Sequence, residues 1–214
     1  MAAVAALAVV VAAVAFCRGD EEPPAVAAPT TSSLAGLQQD GISVGDPDAP
    51  ATLVELADLQ CPFCGVYGRE VLPTALDRYV RSGKLRLELH VLTFLGEDSV
   101  RAGQVAAGAA SQDRLWSFAE AFYARQGEEN SGYVTDAFLR SATAAAGVDL
   151  AAAQHDPDAV GVLARAQAEA DRLGVRGTPA LFLRRGDSGV EPVEFGDMTS
   201  ASFSAALDEA LAAR

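Results

Sequence analysis

Basic residues are scarce in this chain. Lys84 is its only lysine, set against fifteen arginines, and 29 acidic residues outweigh 16 basic ones to leave a net charge of −13. No cluster of Lys or Arg forms the basic face that releases counterions from a nucleic-acid duplex, so nucleic acid is excluded as a partner. The acidity favours solubility and mildly repels acidic partners, and it reads as a solvated surface. Cysteine is equally sparse, with only Cys17, Cys61 and Cys64. Because Cys17 closes the N-terminal apolar run, a single pair remains, too little for a multi-disulfide scaffold. The two histidines, His90 and His155, fall on a strand and in a helical segment without metal-ligand spacing. A zinc site built on Cys61 and Cys64 would therefore lack its other two ligands. No metal or other cofactor is expected, and there are no internal repeats.

Ala2 to Phe16 contains only Ala, Val, Leu and Phe. It falls short of the roughly 20 residues that span a bilayer but fits the apolar region of a secretory signal. The basic residues that ordinarily precede such a region are missing and Arg18 follows it instead, which an upstream start would explain. Val14-Ala15-Phe16-Cys17 loosely resembles a lipoprotein cleavage box, although Phe16 is bulky where a small residue is usual. Residues 1–17 are thus read as a signal peptide or N-terminal membrane anchor, in preference to a buried Ala-rich helix. Residues 18–40, with Pro23-Pro24, Thr30-Thr31-Ser32-Ser33 and Gln38-Gln39, read as a flexible linker that holds a folded domain off a membrane.

With 50% hydrophobic and 21% charged residues, the remainder, 41–213, is long enough to bury a core. Thr52–Ala57 suits a buried strand after the turn cluster 45–50. Val66, Tyr67, Val71, Leu72, Leu76, Tyr79 and Val80 follow helical spacing, with Pro73 a kink and Ser82-Gly83 the end. Leu85, Leu87, Leu89 and Val91 alternate with polar residues, a strand of period two that should run parallel to the first because a helix connects them. Residues 97–173 carry no strand signal. They divide into helices near 98–111, 113–126, 134–146 and 158–172, jointed at Gly127, Gly132 and Gly147. Strand character returns at 180–183 and 190–195, and a helix closes the chain from about 199 to 212.

Chemistry concentrates in Cys61-Pro62-Phe63-Cys64, between the buried strand and the helix start. A free thiol near pKa 8.5 is only slightly ionised at neutral pH, and the thiolate is the nucleophile. At the helix N-terminus Cys61 faces orphaned N–H groups and the positive dipole end, and Pro62 at the first helical position forfeits no hydrogen bond. The dipole contributes about 0.3–2 kcal/mol, whereas a drop of two pH units requires about 2.7 kcal/mol, so hydrogen bonds to sulfur must supply the rest. One turn on, Cys64 lies within bridging distance and should be the more buried, resolving thiol. The alternative, a static bond closing so short a loop, would constrain the unfolded chain little.

Gly174-Val175-Arg176-Gly177-Thr178-Pro179-Ala180 leads into the strand at 181–183. With the cysteine pair and the helical block it resembles the thioredoxin superfamily, in its DsbA-like branch. That resemblance covers 41–213 and is echoed at Phe63-Cys64-Gly65, Glu97–Ala102 and Leu115-Trp116-Ser117-Phe118. It implies an α/β thioredoxin-like fold with an inserted helical subdomain at about 97–173. It also implies an extracytoplasmic thiol–disulfide oxidoreductase that acts on exported protein thiols and is reoxidised by a membrane redox partner. By position, Cys61 is implied to be the surface thiol and Cys64 its partner. Pro179 becomes the cis-proline, and Thr178 offers backbone groups to a substrate peptide alongside Pro62 and Phe63. Glu55, six residues before Cys61, matches a buried carboxyl suited to proton exchange with Cys64, unless it faces solvent. Phe63 departs from the histidine that the family's strongest oxidants carry there, which implies a milder oxidant. A reductase or isomerase using the same pair, and a non-catalytic peptide-binding module, remain open. Trp116, Phe118, Phe122 and Tyr123 read as insert core, His90 as structural, and Arg184-Arg185 as a solvated strand end.

Overall fold

The computed structural model describes residues 32–186 and 189–213. The expected signal or anchor, with Cys17, and most of the expected linker lie outside that range. Six strands form one sheet in the order β1-β2-β4-β3-β5-β6. They are β1 Gln39–Asp40, β2 Ser43–Val44, β3 Thr52–Asp58, β4 Arg86–Leu92, β5 Ala180–Arg184 and β6 Val190–Pro192. Strands β3 and β4 are parallel, as a helical crossover requires, and the other pairings are antiparallel.

Central β3 is covered on both faces, so its sequence is apolar almost throughout. Leu53 and Ala57 face the main core, while Val54 and Leu56 join Leu92, Ala166 and Ala170 on the other side. Alternation therefore sends Glu55 to the main-core face, among the same residues as Cys64 and Tyr67. The crossover begins as α1 Pro62–Val66, continues through α2 Leu72–Ala75, and widens to i→i+5 turns at Tyr67–Val71 and Leu76–Val80. Pro73 has no N–H for the carbonyl four residues back, and the widened turn falls there.

The block between β4 and β5 is helical, with α3 Glu97–Ala110, α4 Leu115–Tyr123, α5 Asp136–Ala146, α6 Leu150–Gln154 and α7 Ala159–Leu173; α8 Ser200–Ala212 closes the chain. Thr135 caps α5 by accepting from Phe138 N at 3.2 Å, and left-handed Gly147 ends it. The aromatic residues of α4 form insert core, with the Phe122 ring 5.9 Å from Phe118 and 4.9 Å from Phe138.

Four expectations change. The linker stops before residue 40, because Leu34 is in the core, Ser33 N donates to Glu120 at 2.8 Å, and β1 pairs with β2. A short helix, α6, capped by Asp149, escaped notice because five residues carry too little periodicity. Strand β6 ends at Pro192 rather than 195. Arg184 and Arg185 are not merely solvated: they pair with Glu88 at 2.7 Å and Glu191 at 2.9 Å across the sheet. Among the described residues no helix is long and apolar enough to cross a membrane.

Candidate active site

The turn that delivers the cysteine pair is pinned by Asp58, the last residue of β3, which is fully buried. Its Oδ1 accepts from Gln60 N at 2.8 Å, and its Oδ2 accepts from Phe94 N, Leu95 N and Ser99 Oγ at 3.1, 3.1 and 2.6 Å. Its carbonyl accepts from Cys61 N at 3.0 Å. Cys61 then sits at the N-cap of α1 in extended conformation, with Pro62 opening the helix and Gly65 N donating to Cys61 O at 3.1 Å.

The two cysteines are free thiols here. The Cys61 thiol is lowered from 9.0 to about 6, first by a hydrogen bond from the Cys64 thiol and then by Thr178 and the N–H groups of Cys64 and Phe63, all working against burial. Cys61 Sγ also lies 3.2 Å from Thr178 O, which accepts only from the protonated thiol, so the lowering by this residue comes through its side chain and not its carbonyl. At neutral pH a thiol near 6 is about nine-tenths ionised. Cys64 goes the other way: burial, then the hydrogen bond and charge of Cys61, push it well above 9.0. The arrangement can hold one sulfur as an attacking or leaving thiolate while the other keeps its proton.

Exposure departs from expectation at one point. Cys61 was implied to be a surface thiol, yet it is only 5% exposed, against 0% for Cys64. The Asp58 turn packs behind it and the Thr178 carbonyl lies beside it. Attack on a sulfur needs one open line along the S–S axis, so access here is narrow rather than absent. Phe63, by contrast, is 62% exposed, and Pro62 is also exposed. The Thr178–Pro179 bond is cis, and both residues are half-buried beside Cys61. Pro179 also borders a concavity of about 440 Å³ that continues over Phe182, Phe195 and Met198.

Glu55 is 3% exposed, and burial raises its carboxyl from 4.5 to about 8. Among the described residues no hydrogen bond joins it to either cysteine. Its charge raises Cys64 further, in surroundings that also bury Tyr67 and Tyr123, whose hydroxyls find no hydrogen-bond partner among the described residues. His90, 3.8 Å from Glu88, belongs to the opposite face of β4 and not to this site. Among the described residues no three His, Cys, Asp or Glu side chains gather as metal ligands.

Two contributors were invisible in the sequence. Asp58 fell just past the expected strand Thr52–Ala57, and Gln126 at a helix end in the insert, yet Gln126 Nε2 donates to Leu59 O at 2.9 Å and Cys61 O at 3.0 Å. The partners that decide their roles, Phe94, Leu95 and Ser99 for Asp58 and Leu59 and Cys61 for Gln126, lie tens of residues away, so no local pattern marks them.

A family model described as thioredoxin matches residues 37–209. The chain belongs to the thioredoxin family. Among curated relatives, the probable disulfide bond formation protein D of Bacillus cereus is 27% identical over 148 residues, 66% of this chain and 68% of that protein. The Bacillus anthracis protein of the same name is 34% identical over 101 residues, 45% of this chain and under half (46%) of that protein. Among solved structures, oxidised BdbD from Bacillus subtilis superposes with TM-score 0.68 at 17% identity, covering 82% of this chain and 97% of that one. Wolbachia pipientis α-DsbA1 superposes at 0.66 and 22% identity, covering 79% and 90%. This thioredoxin-family chain therefore has the DsbA-like form of the fold, with the helical block as the insertion.

Proposed function

We propose that this thioredoxin-family chain exchanges disulfides with exported proteins, outside the cytoplasm, through Cys61 and Cys64. The chain is a thiol–disulfide oxidoreductase. The finer reading is carried by one observation, the pairing at the start of α1 of a thiol lowered to about 6 with a neighbour held well above 9.0. In the oxidised protein a substrate thiolate attacks Cys61 Sγ, and the Cys61–Cys64 bond breaks with its electron pair on Cys64, which takes a proton. The substrate's second thiolate attacks the substrate sulfur of the mixed disulfide and expels Cys61 as thiolate. The substrate loses two electrons and the pair gains them.

Thr178 and Pro179, beside Cys61, are the backbone edge for an extended substrate, with Phe63 and Pro62 offering apolar surface. Glu55, which burial keeps protonated at neutral pH, is the proton donor to Cys64 as its sulfur leaves, and the acceptor when the exchange runs in reverse. A membrane redox partner restores the disulfide. The apolar run at residues 2–16 supports export and membrane attachment, and the Bacillus relatives named for disulfide bond formation support the direction.

A second reading is favoured by the value at Cys61. About 6 lies between thioredoxin, near 7, and DsbA, near 3.5, so the chain could also work as a reductase or isomerase. Equilibration with glutathione separates the two, since a potential near −120 mV marks an oxidant and one near −270 mV a reductant. Cys61→Ser should abolish RNase refolding and insulin reduction while leaving the fold intact. Retained activity in that variant, or wild-type alkylation by iodoacetamide no faster than that of glutathione at neutral pH, would falsify the proposal.

A further inference from the structure

The insert reaches the carbonyls of the redox turn through the side-chain amide of Gln126. Gln126, in the segment after α4, lies 65 residues from Cys61 in the chain, yet both protons of its Nε2 are spent on carbonyls of that turn, Leu59 O and Cys61 O. The residue between those two is held from the same segment, because Asn130 N donates to Gln60 Oε1 at 3.0 Å. Three consecutive residues ahead of the helix thus hang on the loop 126–130.

Gly65 makes room for this contact. A methyl group there would collide with Gln126 Oε1 and come within 2.8 Å of Arg69 Nη1. Arg69 Nη1 in turn donates to Tyr123 O at 2.8 Å, so the first helical turns and the end of α4 are tied at two points. A larger residue after Cys64 would drive the amide off the carbonyls.

We propose that Gln126 is a positioning residue for thiol exchange, through which the helical insert sets the orientation of the Cys61 turn and thereby the reactivity of its sulfur. The inference rests on the exchange reading above. Cys61 O is the acceptor that opens α1, through Gly65 N, and Gln126 shares it. Two N–H dipoles on the Leu59 and Cys61 carbonyls also offset negative charge close to a thiolate. Without them the turn relaxes, the N–H groups of Phe63 and Cys64 lose their aim at the sulfur, and the thiolate is less favoured.

The test uses the full chain carrying Gln126→Met, which keeps the length and apolar stem but donates nothing. Two quantities are measured: the pH midpoint of Cys61 alkylation by iodoacetamide, and the equilibrium of the pair with glutathione. The midpoint should rise by at least half a pH unit, and the equilibrium should move at least threefold toward the disulfide, because a less stable thiolate disfavours the reduced form. Gly65→Ala should shift both in the same direction, and the double variant should shift them no further than the larger single change. Gln126→Asn, one methylene short, reads the same contact if the methionine variant does not fold. A midpoint and equilibrium unchanged within twofold, whatever happens to Tm, overturns the role of Gln126 alone. A wild-type Cys61 that alkylates no faster than glutathione overturns the exchange reading as well.

Discussion

Replacing Glu55 by leucine should make the protein more stable, and by an amount that grows with pH. The carboxyl is held at about 8 in the fold against 4.5 when solvated, because β3 buries it on both sides. At 1.36 kcal/mol per pH unit, keeping it ionised inside costs about 5 kcal/mol more than outside. The sign follows from proton counting. Below pH 4.5 both states are protonated and the carboxyl is neutral in its effect. Between 4.5 and 8 the unfolded chain ionises while the native chain keeps its proton, so stability falls as pH rises, and above 8 the loss is complete. From pH 5 to pH 8 the wild type should therefore lose about 3 kcal/mol that the Glu55→Leu variant keeps. Urea unfolding of both proteins at pH 5, 6, 7 and 8, with the pair reduced throughout, reads the difference directly. Parallel stability curves would show that Glu55 titrates as a solvated carboxyl and has no place in proton exchange with Cys64. If the difference appears, the same variant should also exchange more slowly, since a group kept at that cost is retained for the reaction rather than for the fold.

Two further outcomes follow from the site and from the insert. Phe63→His places an imidazole at an exposed position in the first turn of α1, and at a pH where it is charged it should lower the Cys61 alkylation midpoint from about 6 by up to about one pH unit; an unmoved midpoint counts against side-chain control at that position. Gly108→Ala in α3 gains about 1 kcal/mol of helix propensity but drives a methyl into the Ala153 backbone of α6, so a net loss of about 1–2 kcal/mol in urea unfolding is expected, and a gain would show that α6 can slide away.

What could be read without the structure was local. Strand β3, the Leu85–Val91 alternation, the helix begun by Pro62 and ended by Ser82-Gly83, and the parallel crossover follow from periodicity and chain connection. Cys61, Cys64 and the Gly177-Thr178-Pro179 segment are contiguous motifs, so they too stood out. The misses share a different cause. Ser33 and β1 belong to the fold only because they meet Glu120 and β2, and a Pro- and Ser-rich stretch gives no hint of that. Arg184 looked like a solvated strand end because Glu88, its partner, is 96 residues away. The exposure of Cys61 was misjudged for the same reason, since the Thr178 carbonyl beside it comes from the far side of the insert. The thiol's chemistry is thus divided between two parts of the chain. A tetrapeptide supplies the sulfur and the helix terminus, while contacts at separations of 65 and 117 residues supply Gln126 and Thr178. Two chains with the same Cys-Pro-Phe-Cys run can therefore differ in reactivity wherever their inserts differ at the position that meets Cys61 O.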